Sequence, residues 1–165
     1  MHKALVTGGN RGIGKAIAAG LVDAGLDVVI GARDLDAGQA AAEEVGAMAV
    51  YLDLANHASF AVAIEGVTIL VNNAGVLWDD GLFDDPAHFQ ATMDASLNGP
   101  YALMRAALPQ MQKASYGRSV NLSSGWASFG AGLGGGGAYA VGKAGMNALT
   151  VIADRDTPDF IKVNA

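Results

Sequence analysis

A chain of 165 residues with 52% hydrophobic content and a mean hydropathy of +0.30 is long enough to bury a real core. Its lack of cysteine excludes disulfides, thiolate catalysis and cysteine-ligated zinc. The net charge of −6 argues against a nucleic acid or an anionic membrane surface as partner. No membrane span is expected: the apolar stretch 12–32 is interrupted by Lys15, Asp23 and Asp27, and the uncharged stretch 119–142 is rich in glycine and serine rather than leucine. The opening MHKALVTGG is too short an apolar run for a signal peptide, so a cytoplasmic location is the default expectation.

In chain order, β-rich runs alternate with alanine-rich helical stretches. Strands are expected at Lys3–Thr7, Asp27–Gly31, Ala47–Tyr51, Thr68–Asn72, Arg118–Ser123 and Ile161–Asn164, most of them continuous Val/Ile/Leu runs suited to burial on both faces of a parallel sheet. Helices are expected at Gly12–Ala24, Asp36–Val45, His57–Glu65, Pro86–Lys113 (as two helices) and Ala138–Ala153. Asp36, and Asp85 followed by Pro86, serve as start signals. This alternation predicts an α/β, Rossmann-type doubly wound parallel sheet with right-handed crossovers, ending after its sixth strand. No internal repeat or linker divides it, so residues 1–165 read as one domain.

Between the first strand and first helix lies TGGNRGIG, residues 7–14. Its glycines permit positive φ and close backbone approach, and the helix start supplies free N–H groups, so a pyrophosphate would sit well there. The spacing is not G-x-G-x-x-G, and a tight turn without ligand is the plainer alternative. Only four basic residues occur among the first 100 positions, Lys3, Arg11, Lys15 and Arg33, and Arg11 and Arg33 fall where a nucleotide phosphate would be held. That suits one small anionic ligand on an acidic protein.

Read as T-G-x-x-x-G-I-G, the same stretch resembles the fingerprint of the short-chain dehydrogenase/reductase family. Four more motifs follow in order: Asp53-Leu54, NNAG at Asn72–Gly75, NLSS at Asn121–Ser124 and YAVGK at Tyr139–Lys143. TGGNRGIG together with GARD looks most like the carbonyl-reductase branch. The resemblance implies a nicotinamide dinucleotide held by Gly8, Asn10, Arg11, Gly12, Ile13 and Gly14, with Asp53 on the adenine amino group and Leu54 packing nearby. It also implies that Asn73, Ala74 and Gly75 line the adenine ribose side, while Asn72 and Thr7 brace neighbouring strands.

NAD users of the family generally place an acid where Ala32 stands, to bond the ribose 2′-hydroxyl. Here that position is neutral and Arg33 and Arg11 flank the pocket, so NADP(H) is favoured over NAD(H) through charge-assisted bonds to a 2′-phosphate. Asp34 complicates this, because a shift of one residue would return a carboxylate to the ribose.

Tyr139 and Lys143 are four apart on a predicted helix and so share a face. A free tyrosine, with a pKa of about 10, is a poor proton shuttle near neutrality, and a nearby ammonium favours its phenolate. The family implies that Tyr139 is the proton donor, that Lys143 also holds the nicotinamide ribose, and that Ser124 bonds the substrate oxygen. The expected reaction is reduction of a small-molecule ketone, aldehyde or quinone to an alcohol. A nucleotide-binding sensor or degenerate paralogue without turnover is the rival reading. Dimers or tetramers are usual in the family.

Three departures from the family pattern stand out. Its fourth catalytic member is an asparagine where this chain has Ser96, and Asn98 falls on the far side of the helix. The segment between Asp53 and NNAG is short by about two helical turns, roughly 7 residues. The chain stops at IKVNA, before the family's Pro-Gly turn, substrate-covering lid and last strand. A longer product, a partner that fills the gap, or an unusually open pocket would each account for this. An exposed sheet edge would favour association.

Gly130–Gly137 reads equally as a mobile pocket wall or a connector, and Trp78 and Trp126 as substrate contacts or packing. Asp79, Asp80, Asp84 and Asp85 read as a solvated loop, and His2, His57 and His88 show no metal-ligand or triad spacing, so no metal is expected.

Overall fold

The computed structural model describes residues 2–165. Six parallel strands form one sheet: β1 (Lys3–Thr7), β2 (Asp27–Ala32), β3 (Met48–Tyr51), β4 (Val67–Asn72), β5 (Gly117–Asn121) and β6 (Ile161–Asn164), in the order β3-β2-β1-β4-β5-β6. This is the doubly wound order that reverses between β1 and β4, where such sheets bind dinucleotides at the carboxyl ends of their strands.

The helices are α1 (Gly12–Asp23), α2 (Leu35–Val45), α3 (Phe60–Ala63), α4 (Pro86–Met93), α5 (Gly99–Lys113) and α6 (Gly137–Asp156). Residues alternate along β1. Leu5 joins Leu70, Leu103, Ala107 and Met111 in one core, and Ala4 and Val6 join Ala18, Ile30, Ala41 and Ala42 in the other. Continuous apolar strands are therefore buried on both faces in the middle of the sheet.

The two-face expectation fails at β5 and β6. β5 leaves Val120 exposed between buried Ser119 and Asn121, and β6 exposes Lys162 and Asn164. The α1/α2 layer covers β1, β2, β3 and β4 but does not extend to β5 and β6, so these two strands are covered on one side.

Some element boundaries also move, while 86–113 forms two helices as expected. The helix expected at His57–Glu65 shrinks to a 3₁₀ turn at His57–Ser59 and the single turn of α3, which exposes Val62. Gly66, in a left-handed conformation at φ 72°, follows directly and turns the chain into β4. The expected fifth strand stops at Asn121, so Ser123 and Ser124 have left the sheet. The stretch 86–113 is two helices joined without a loop, by a π-helical turn at Asp94–Asn98. Among the described residues no helix is long and apolar enough to cross a membrane.

Candidate active site

The turn after β1 is built on close approach. Gly8 adopts a left-handed φ of 63°, and a Cβ on Gly14 would overlap both the Gly8 carbonyl oxygen and Asn73 Nδ2. Only a glycine lets α1 start this near the strand end. Arg11 is the N-cap residue of α1 but makes no side-chain cap bond, and no acid stands in the first turn. The free N–H groups and positive end of α1 are left for an anion. Ile13 is exposed beside them and Asn10 is half-buried.

Two side-chain pairings sort the nearby charges. Lys15 is bound to Glu44, which removes it from the phosphate region. Arg11 and Arg33 are exposed and have no carboxylate partner among the described residues. Asp34 Oδ1 accepts from Ala37 N at 3.0 Å and so caps α2. One of its carboxylate oxygens is thus engaged by the helix. Ala32, buried at the end of β2, presents a methyl where an acid would be needed to read a 2′-hydroxyl. Cradle and helix end together fit the pyrophosphate of a dinucleotide.

Around the end of β4, Thr7 Oγ1 accepts from both Asn73 N and Ala74 N at 3.0 Å, and Asn73 Nδ2 donates to Thr7 O at 2.9 Å and Gly8 O at 3.2 Å. Asn73 thus ties the two loops at the switch point. Asn72 braces the other side: its Nδ2 donates to Asn121 Oδ1 at 2.8 Å, directly across from it on β5. Asn121 Nδ2 continues to Thr150 Oγ1 at 2.9 Å, and Thr150 donates to Met146 O at 2.8 Å. A buried polar chain therefore runs from β4 through β5 into α6. Asn121's link to Thr150 is not visible in the pattern of β5. Its one signal is that Met146 and Thr150 stand three and seven residues after Lys143, on the same helix face.

Asp53 Oδ1 accepts from Ala55 N at 3.0 Å in a local turn, and the residue is half-buried at the end of β3. Leu54 is 7% exposed and belongs to the core beside Leu52 and Phe60, with its backbone against Gly99.

Lys143 is 3% exposed on α6, and its Nζ donates to the Leu122 carbonyl. Nζ lies 5.6 Å from the Tyr139 ring centroid, and a Cβ on Gly75 would come within 3.9 Å of it. The tip of NNAG, the start of NLSS and the YAVGK helix thus converge on one ammonium. Burial pushes the Lys143 pKa below the ordinary lysine value of 10.5.

Ser124 caps the 3₁₀ turn Gly125–Ala127, its Oγ accepting from Trp126 N at 3.2 Å. That bond uses an oxygen lone pair and leaves the hydroxyl proton free to donate.

The π turn carries Ser96 against α6: the residue is fully buried, and a Cβ on Gly142 would stand 2.9 Å from Ser96 Cβ. Ser96 Oγ has no partner within the protein. Asn98 points elsewhere, exposed and donating to Asp94 Oδ1 at 3.0 Å. The serine, not the asparagine, is the residue that neighbours the Lys143 turn.

Sheet order, switch-point cradle and the Tyr139–Lys143 face together define a dinucleotide-binding α/β protein. The short chain dehydrogenase family model matches residues 2–165. An acetoacetyl-CoA reductase of Paracoccus denitrificans is 36% identical over 131 residues, covering 73% of this chain and 54% of that protein. A 3-alpha-(or 20-beta)-hydroxysteroid dehydrogenase of Mycobacterium tuberculosis is 35% identical over 132 residues, covering 73% of this chain and 50% of its own length. A metagenomic short-chain oxidoreductase solved in complex with NADP superposes with a TM-score of 0.85 at 34% identity, over 94% of this chain and 76% of that one. The chain belongs to the short-chain dehydrogenase family, whose members are NAD(P)-dependent oxidoreductases. It spans about half the length of these two curated relatives.

Proposed function

We propose that this chain carries the nucleotide site and proton-transfer machinery of an NADP(H)-dependent carbonyl reductase. The observation that carries the reading is the buried Lys143 ammonium beside the Tyr139 ring, held by Leu122 O at the meeting point of three motif-bearing loops. A binding protein without turnover could use Lys143 to hold the ribose, but it has no need of a proton donor at Tyr139.

The reduced nicotinamide, when bound, supplies a hydride to the carbonyl carbon. Tyr139 gives its proton to the carbonyl oxygen, so the carbonyl becomes an alcohol and the proton is later replaced from water. Lys143 favours the resulting phenolate electrostatically. Ser124 donates to the same oxygen and orients the carbonyl. Ser96, with an unpartnered buried hydroxyl two residues from the end of the π turn, is the group placed to hold a water for reprotonation by way of Lys143.

The phosphates rest on the Gly8–Gly14 turn and the start of α1, with Ile13 against the nicotinamide side. Asp53 faces the adenine, Leu54 packs behind it, and Asn73, Ala74 and Gly75 line the ribose side. Arg11 and Arg33 hold the 2′-phosphate. Homo-oligomers, dimers or tetramers, are part of the reading, supported by outward apolar side chains such as Val141, Val151 and Ile152 on α6.

Calorimetric titration tests it. NADPH is expected to bind at least tenfold more tightly than NADH. Arg33→Ala should lower NADPH affinity by about 10–100-fold, the value of one or two charge-assisted bonds, while leaving NADH affinity unchanged. Tighter binding of NADH, or an Arg33→Ala variant indifferent to the cofactor pair, overturns the NADP(H) assignment.

A further inference from the structure

A cavity of about 530 Å³ lies between residues 77–84, which follow β4, and the backbone of Gly135 and Gly136 ahead of α6. Its two large side chains are Trp78 and Trp126. The Trp126 indole meets the Tyr139 ring edge-on at 6.0 Å and 84°, so the cavity begins one ring away from the proposed proton donor. Both indoles are held in place. Trp78 stacks on His88 at 3.8 Å with the planes 1° apart. Trp126 lies against Gly134 and Gly135, where a Cβ on Gly135 would overlap the ring, and a Cβ on Gly137 would stand 2.8 Å from Leu82 Cβ. The second half of the 130–137 glycine run thus lies against Trp126, Trp78 and Leu82 and lines the cavity as a wall.

The charge of this cavity is one-sided. Asp79, Asp80 and Asp84 line it, and no lysine, arginine or histidine does. Asp80 is paired with His88 Nδ1 at 2.7 Å, which leaves the rim net negative. The chain has no lysine or arginine between Arg33 and Arg105, and none between Arg118 and Lys143, so neither wall can supply a cation. Flat aromatic walls favour apolar rings, the volume fits a small organic ligand, and an acidic rim without counter-charge repels anions.

We propose that this cavity is the substrate subsite and that it takes an uncharged ketone carried on a fused or substituted ring, turning away carboxylates and coenzyme A thioesters. The inference rests on the reductase reading above. Its reaction needs no further co-reactant: the ring ketone gains the hydride at carbon and the Tyr139 proton at oxygen, giving a neutral secondary alcohol as the nicotinamide is oxidised.

Trp78 and Trp126 are the only tryptophans of the chain, so its intrinsic fluorescence reports on this cavity and does not depend on turnover. The probes are trans-2-decalone, a decalone bearing a ring carboxylate, and acetoacetyl-CoA, each titrated into the full chain excited at the indole band. Decalone is expected to change the emission saturably and to bind at least tenfold more tightly than either anion. Asp79→Lys, in an exposed loop position, should narrow that gap at least threefold.

Equal binding of the carboxylate, no response to decalone, or unchanged discrimination in Asp79→Lys would each overturn the proposal. NADPH calorimetry and Tyr139-dependent reduction of cyclohexanone separate the two levels. If both hold while the decalone series fails, only the substrate class is wrong. If NADPH does not bind, the reductase reading falls and the substrate proposal falls with it.

Discussion

Tyr139→Phe is expected to lower kcat for any accepted ketone by about 10²–10⁴-fold, the usual worth of a positioned general acid, while the affinity for NADPH stays within about twofold. The substitution removes one hydroxyl from a half-buried ring that already packs edge-on against Trp126, so the fold has little reason to change. Steady-state kinetics and calorimetry on the same preparation check both halves. A variant with full turnover would show that the proton comes from elsewhere.

Lys143→Met probes the same step from the other side. Turnover should fall by a comparable factor, while the thermal midpoint should stay within about 3 °C because the change costs less than 1 kcal/mol. The physical reason lies in the burial of Lys143: its folded-state pKa is pushed below 10.5, so at neutral pH the charged form carries a desolvation cost. That cost is present in full below the folded-state pKa and is relieved as pH rises toward the unfolded value, so this group's contribution to stability improves over that window. Methionine removes the cost together with the bond to Leu122 O. Activity of the unaltered chain should run the opposite way, falling with pH as Lys143 loses its proton below the ordinary lysine range.

The second large effect is on stability. Asn121→Ala should destabilise the fold by about 2–4 kcal/mol, combining a cavity with polar partners left unpaired in the core. Asn121 is fully buried and stands between Asn72 Nδ2 and Thr150 Oγ1, both on buried residues. Asn72 Oδ1 already lacks a partner, so losing Asn121 would orphan the whole side chain. The same substitution loosens β5 from α6, the helix that carries Tyr139 and Lys143. Denaturant unfolding followed by circular dichroism would measure the loss, and a change under 1 kcal/mol would show that the chain of hydrogen bonds is not structural. Restoring an amide with Asn121→Gln should recover little, because the longer side chain cannot fit between partners at 2.8 and 2.9 Å.

Much of the architecture is local and therefore legible. A strand-length apolar run, a glycine turn and an alanine-rich helix each owe their form to residues within a dozen positions, and their alternation carries the order of the sheet with it. TGGNRGIG is legible in part for the same reason: of the two overlaps that forbid a Cβ on Gly14, one is with Gly8, six residues away, while the other, with Asn73, belongs to the tertiary fold. The spacing of Tyr139 and Lys143 needs only helical geometry.

What the sequence left open depends on which distant residues meet. Asp34 is the exception: its cap bond to Ala37 spans three residues, and it, not Asp36 as expected, starts α2. Gly134–Gly137 looked free until the Trp126 indole, the Trp78 backbone carbonyl and Leu82 arrived against it. Ser96 and Asn98 are two positions apart in one turn. Only the π-helical widening and the packing of α6 decide that the serine is buried against Gly142 while the asparagine faces solvent. Periodicity and glycine placement record the local terms of the energy. Contacts between side chains tens of residues apart are set by packing, and these leave no pattern along a single chain.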